Sequence, residues 1–115
     1  VHGATLGKQC MIGMNAVIMD DVQVGEGCIV GALAFLKAKS EWPSRTIIAG
    51  HPAKVIGDVS DAMLAHKVEG TALYQQLPED CRVHLVECEP LTDAPASRPE
   101  SFPSFETWQN RRQQS

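Results

Sequence analysis

Between Leu6 and Leu36 the aliphatic residues return every six positions. The blocks read LGKQCM, IGMNAV, IMDDVQ, VGEGCI and VGALAF, and Leu36 opens the next. The first position is Leu6, Ile12, Ile18, Val24, Val30 and Leu36, all aliphatic. Glycine holds the second position in four blocks, at Gly7, Gly13, Gly25 and Gly31. The fifth is small and apolar throughout: Cys10, Ala16, Val22, Cys28 and Ala34. A helix repeats near 3.6 residues and a strand at 2, so this period predicts a prism-shaped coil. Each block supplies one short strand, the aliphatic fills the interior, and the small fifth residue sits where the interior narrows at a corner. Glycine is expected where the chain bends, because it lacks a Cβ.

Three faces per coil stack residue n on residue n+18, and the sequence passes that test. Leu6 meets Val24, Gly7 meets Gly25, Cys10 meets Cys28, Ile12 meets Val30, and Ile18 meets Leu36. Lys8 falls over Glu26, an expected cross-strand charge pair. Each aliphatic taken into such an interior contributes roughly 1.5–3 kcal/mol. Stacked strands about 4.7–4.9 Å apart would permit a Cys10–Cys28 disulfide by separation alone; two buried thiols acting as small hydrophobes are preferred. Two coils fall short of the usual minimum of about three repeats, and a coil end at Val1 would be a sticky edge. Further coils are therefore expected ahead of Val1.

Residues 37–46 (KAKSEWPSRT) leave this pattern, and Pro43 with the charges predicts a loop. Residues 47–56 (IIAGHPAKVI) read as a closing strand turning at Gly50-His51-Pro52. Ser60 is placed to cap a helix with Asp61 in its first turn. Leu64, Val68, Ala72, Leu73 and Leu77 follow at helical spacing, so an amphipathic helix is expected over 60–77, ended by Pro78. Cys81–Val86 is strand-like, and the Pro- and Ser-rich segment 90–115 is expected to be loosely held or disordered. The domain reading is thus coils over 1–57, a packing helix over 58–78 and an extension over 79–115.

Composition narrows the function. The chain has 115 residues, 43% of them hydrophobic, and a net charge of −4 with scattered basic residues. Nucleic-acid binding is not expected, since it needs clustered Lys and Arg against phosphates. No apolar run reaches bilayer length and no leader pattern opens the chain, so neither a membrane nor a secreted location is expected. Cys10, Cys28, Cys81 and Cys88 form no CxxC pair. They read as free thiols of a cytoplasmic protein.

Particular strings then name a family. His2-Gly3, Leu6-Gly7 and Ile12-Gly13-Met14-Asn15-Ala16-Val17 resemble the γ-class carbonic anhydrase-like proteins. So do Val24-Gly25, Val30-Gly31-Ala32 and Ala49-Gly50-His51-Pro52-Ala53-Lys54-Val55-Ile56. Lys67, Gly70-Thr71, Tyr74-Gln75, Cys81-Arg82 and Glu89-Pro90-Leu91 resemble its phenylacetate-degradation and carnitine-operon branch. Where relatives tend to carry an aromatic in the C-terminal helix, His66 stands here.

The resemblance implies a mainly β protein: a left-handed parallel β-helix of hexapeptide repeats with a C-terminal α-helix, assembled as a homotrimer. It implies zinc, or another divalent metal, held between subunits by three histidines. His2 matches the histidine that precedes a glycine; the other two would lie ahead of Val1. His51, His66 and His84 match no ligand position and read as solvated or turn histidines. Three imidazoles leave an open position for water, whose pKa the metal lowers. Asp20, one coil on, could accept the second N–H of His2, but an exposed corner carboxylate is the preferred reading. Three functions follow: a metal-dependent hydrolase or lyase (a coenzyme A thioesterase or carbonic anhydrase type), a hexapeptide-repeat acyltransferase working through a histidine base, or a non-catalytic trimeric accessory protein. A small molecule, such as an acyl-CoA, is the expected partner; no catalytic residue is assigned.

Overall fold

The structure, a computed structural model, describes residues 1–93, 96–97 and 106–113. Two compact units divide the chain, residues 1–68 and 69–115. In the first, seven two-residue strands follow one another at six-residue intervals: β1 (Thr5–Leu6), β2 (Met11–Ile12), β3 (Val17–Ile18), β4 (Gln23–Val24), β5 (Ile29–Val30), β6 (Phe35–Leu36) and β7 (Glu41–Trp42). Two longer strands, β8 (Thr46–Ala49) and β9 (Lys54–Asp58), close the series.

Pairing is parallel with an offset of eighteen residues, as the repeat predicts. Leu6 lies beside Val24, Ile12 beside Val30, and Ile18 beside Leu36. Three faces result, of order β1-β4-β7, β2-β5-β8-β9 and β3-β6. Inside, Ile18, Val22, Val24, Cys28, Val30, Ala34, Leu36 and Ile48 are buried together. First-coil residues Leu6, Ile12, Cys10 and Ala16 are only partly covered or exposed.

The predicted loop at 37–46 is instead a third coil. Trp42 stacks on Val24 and Ile48 on Val30, so the first-position series runs on as Leu36, Trp42, Ile48. The fifth position turns polar there, at Ser40 and Thr46, yet each hydroxyl is satisfied. Ser40 Oγ donates to the Lys37 carbonyl at 2.6 Å, and Thr46 Oγ1 to that of Pro43 at 2.8 Å. A buried hydroxyl with a partner costs little, so polarity alone did not end the coil.

Glycine plays a different part from the one expected. The corners are turned at positive φ by Gly3, Gln9, Asn15, Asp21, Gly27, Leu33, Lys39 and Arg45, again six apart. Gly7, Gly13 and Gly25 are absent from that set. Their Cβ atoms would meet the next coil's backbone: 2.5 Å from the Glu26 nitrogen, 2.4 Å from that of Ala32 and 2.4 Å from that of Ser44. Close coil stacking, not bending, excludes a side chain. The expected Lys8–Glu26 ion pair is not among the salt bridges of the described residues. Both are exposed, and their ordering has little to gain in water.

β9 runs antiparallel to β8, with a bulge between Ile47 and Ile48, so the closing segment is a hairpin around the Gly50–Ala53 turn. Ser60 then caps helix α1 (Asp61–His84), its Oγ accepting from the Met63 N–H at 3.2 Å. Arg45 ties the start of α1 to the last coil corner. Its Nε donates to the Val59 carbonyl at 3.1 Å and its Nη2 to Asp61 at 2.6 Å.

α1 overrides two expectations. It continues through Pro78 to His84, so Pro78 does not end it and Cys81–Val86 is not a strand. Proline deletes one backbone hydrogen bond, but this stretch is solvent-exposed, where water can satisfy the freed carbonyl. Glu79 and Arg82 add a two-pronged pair one turn apart, with bonds of 2.8 and 2.5 Å. Of the apolar stripe, Leu64 and Leu73 are half-buried while Val68, Ala72 and Leu77 are exposed. The one buried residue of α1 is His66, against the expectation of a solvated histidine. In the second unit, helix α2 (Trp108–Gln113) carries Arg111, which pairs with Glu69 at 2.8 Å. Of the segment 90–115, expected to be loosely held or disordered, residues 94–95, 98–105 and 114–115 lie outside those described, and Trp108–Gln113 is helical. Among the described residues no helix is long and apolar enough to cross a membrane.

Candidate metal-ligand site at His2

His2 lies where the chain enters the first coil corner. Its backbone N–H donates to the Ile18 carbonyl at 3.0 Å, and the Gly3 carbonyl accepts from the Asp21 N–H at 2.9 Å. These bonds stack residues 2 and 3 on residues 20 and 21. Side chains eighteen apart then share one side of the same corner, which brings Asp20 to His2. The His2 Nδ1 is 2.5 Å from Asp20 Oδ1. Asp20 is thus both an exposed corner residue, the preferred expectation, and a partner of the ring, the alternative. The nitrogen it meets is Nδ1, on a largely exposed ring.

Could these residues serve a metal? An imidazole held through one nitrogen by a carboxylate, with the other nitrogen accessible, is the usual condition of a ligating histidine. His2 and Asp20 fit the part of one ligand and its support. Among the described residues no group of three or more His, Cys, Asp and Glu side chains comes together. Over the described residues one chain therefore offers a single candidate ligand, His2, and no complete cage. His51 is exposed and its ring lies against Phe35 at 4.9 Å between centroids, the place of a turn residue. His84 is exposed at the end of α1.

The thiols are equally informative. All four cysteines are free. Cys10 Sγ donates to the Gly25 carbonyl at 3.1 Å, and Cys28 Sγ to the Pro43 carbonyl at 3.0 Å. The two stacked thiols thus repeat one contact, each fifteen residues on, and no disulfide joins them. Burial pushes the Cys10 thiol above its ordinary pKa, against smaller opposing help from neighbouring backbone and Lys67. That is the opposite of an activated nucleophile.

On face one, a shallow open depression of about 480 Å³ is lined by Gln23, Val24, Gly25, Glu41, Trp42 and Pro43. No feature of it ties it to His2.

Sequence reasoning missed the role of Gly3. At φ +58, a Cβ on Gly3 would stand 2.5 Å from Asp20 Oδ1. The His-Gly dipeptide carried the signal, but only the coil pairing shows which carboxylate needs the space.

Comparison with known proteins agrees with this architecture. The family described as bacterial transferase hexapeptide (six repeats) matches residues 3–38. The carnitine operon protein CaiE of Salmonella agona is 40% identical over 99 residues, covering 86% of this chain and 50% of that protein. CaiE of Escherichia coli K12 is 39% identical over the same span. The chain thus spans about half the length of these curated relatives. Among solved structures, a Bacillus cereus protein provisionally named an acetyltransferase superposes with a TM-score of 0.66 and 25% identity, over 70% of this chain and 46% of that one. A hexapeptide transferase family protein from Anaplasma phagocytophilum gives 0.63 and 25%, over 67% and 46%. The coil is the left-handed β-helix of hexapeptide-repeat proteins.

Proposed function

From the premise that this chain is a hexapeptide-repeat protein similar to the carnitine operon protein CaiE, we propose that it works in a homotrimeric, metal-dependent hydrolase or lyase, with His2 as one ligand of a zinc or other divalent ion. The observation that carries the reading is the largely exposed His2 ring, held through Nδ1 by Asp20 at 2.5 Å. The remaining ligands come from outside the described residues of one chain. When bound, such a metal supplies Lewis-acid chemistry and lowers the pKa of a coordinated water. The chain's own part is to present Nε2 on a rigid coil corner and to keep the interior dry behind it. Substrates in keeping with this chemistry are carbon dioxide or the thioester carbon of an acyl-CoA, in carnitine or phenylacetate metabolism in the cytoplasm.

Acyl transfer is a second reading, favoured by the superposition on the Bacillus cereus protein named provisionally as an acetyltransferase. It needs no metal. A trimeric accessory protein without turnover is the third.

One set of measurements separates them. The purified protein is assayed for bound metal, for acyl-CoA hydrolysis and for CO₂ hydration, with and without a chelator, beside His2→Ala. The proposed reading expects bound metal, loss of it in His2→Ala, and chelator-sensitive activity. Activity that survives metal removal moves the assignment to acyl transfer. Absence of both metal and turnover leaves the accessory role.

A further inference from the structure

We infer that Asp20 is a positioning residue that locks His2 in the Nδ1–H tautomer, and that Gly3 is glycine to admit the Asp20 carboxylate. Three observations carry this. First, Asp20 Oδ1 lies 2.5 Å from His2 Nδ1. An ionised carboxylate only accepts hydrogen bonds, so Nδ1 must be the donor. In the neutral ring the proton then sits on Nδ1 and the lone pair on Nε2. A free histidine prefers the reverse tautomer, so the lock is a property of the fold.

Second, the backbone fixes both ends of the contact. His2 N–H is bonded to the Ile18 carbonyl, Gly3 carbonyl to the Asp21 N–H, and the Asp20 carbonyl accepts from the Lys39 N–H at 2.9 Å. The pair therefore spans two stacked coils, with the third holding Asp20 from beyond. Third, the absent Gly3 side chain leaves the space that this carboxylate occupies. A Cβ there would come within 2.5 Å of Oδ1 and 3.4 Å of Cγ, at a φ of +58 that a side chain already disfavours. Any residue but glycine pushes the carboxylate off the imidazole.

The consequence is chemical selectivity. A ring whose only lone pair is on Nε2 binds a borderline divalent cation along a single direction. The tautomer lock stands on geometry alone; its use toward a metal rests on the proposed reading of His2.

Long-range ¹H–¹⁵N spectra of the histidines, taken on the whole chain where His2 is neutral, read the tautomer directly. The wild-type protein is expected to show His2 with a protonated Nδ1. Asp20→Ala is expected to return it to the Nε2–H form, and so is Gly3→Ala. Asp20→Asn, whose amide oxygen still accepts, is expected to keep the Nδ1–H form. Both residue 20 variants sit on an exposed side chain, so failure to fold is not an expected escape. A wild-type His2 protonated on Nε2, or an Asp20→Ala spectrum like the wild type, overturns the inference. Zinc titration of the same samples is the separate arm: Asp20→Ala is expected to weaken binding about 10–100-fold. A locked tautomer in a protein that binds no zinc removes the metal reading and leaves the lock standing.

Discussion

Gly13 lies so close under Ala32 that a Cβ on it would come within 2.4 Å of the Ala32 nitrogen. Two coils touch there through backbone alone. Strand spacing is set by hydrogen bonds such as Gly13 N–H to the Val30 carbonyl, 2.8 Å, and it leaves no room for a methyl group.

Gly13→Ala should therefore destabilise the coil by about 1–3 kcal/mol, the usual range for forced overpacking. Gly57→Ala is the control, since its Cβ would meet nothing nearer than Ile47 Cδ1 at 3.8 Å. Its effect should stay within about 0.5 kcal/mol. Urea unfolding of both variants decides; equal midpoints would refute the steric account of the second-position glycines.

Lys39 turns its corner at φ 64, where an L side chain is strained. The equivalent positions 15 and 21 are Asn and Asp, which tolerate this region best after glycine. Lys39→Asn keeps the N–H bond to Asp20 and should stabilise by about 0.5–1 kcal/mol. That corresponds to a rise of about 2–5 °C in Tm. Lys37→Asn, at an exposed corner position without positive φ, should leave Tm unchanged. A rise in both, or in neither, would detach the effect from backbone strain.

The Cys10 thiol should make stability fall at alkaline pH. Burial raises its pKa in the folded protein, so folding favours the protonated form. The contribution is fully present below the unfolded value, about 8.5, and is lost as pH climbs through the folded one. Urea midpoints of the wild type should drop more steeply above about pH 8.5 than those of Cys10→Ala. Parallel curves would show that the thiol ionises without resistance.

How much of this could be read along the chain follows from which constraints are local. The first-position aliphatics and the eighteen-residue match announced the coil, because an interior position on a three-sided prism admits one class of side chain. Ser60 announced the start of α1 because capping is a contact within one turn. Beyond Leu36 the repeat is disguised, since Trp42, Ser40 and Thr46 look unlike the Val, Cys and Ala of the earlier blocks. The hydroxyls of Ser40 and Thr46 are satisfied by carbonyls three residues back, which composition does not display. Pro78 looks like a stop because its missing N–H is a local fact, while the exposure that makes the loss tolerable is not.

The candidate site divides the same way. The His2-Gly3 dipeptide marked its place, and the offset of eighteen put Asp20 near it. Sequence alone thus determined the period, the stacking register and hence which residues share a corner, because each is fixed by a repeat in side-chain size. Only the tertiary structure decided that the bonded nitrogen is Nδ1, that Gly3 must yield space to the carboxylate, and that positive φ belongs to the fourth position rather than to the glycines of the second. Those depend on distances of a few ångströms between coils, and such distances exist only after the chain has wound onto itself.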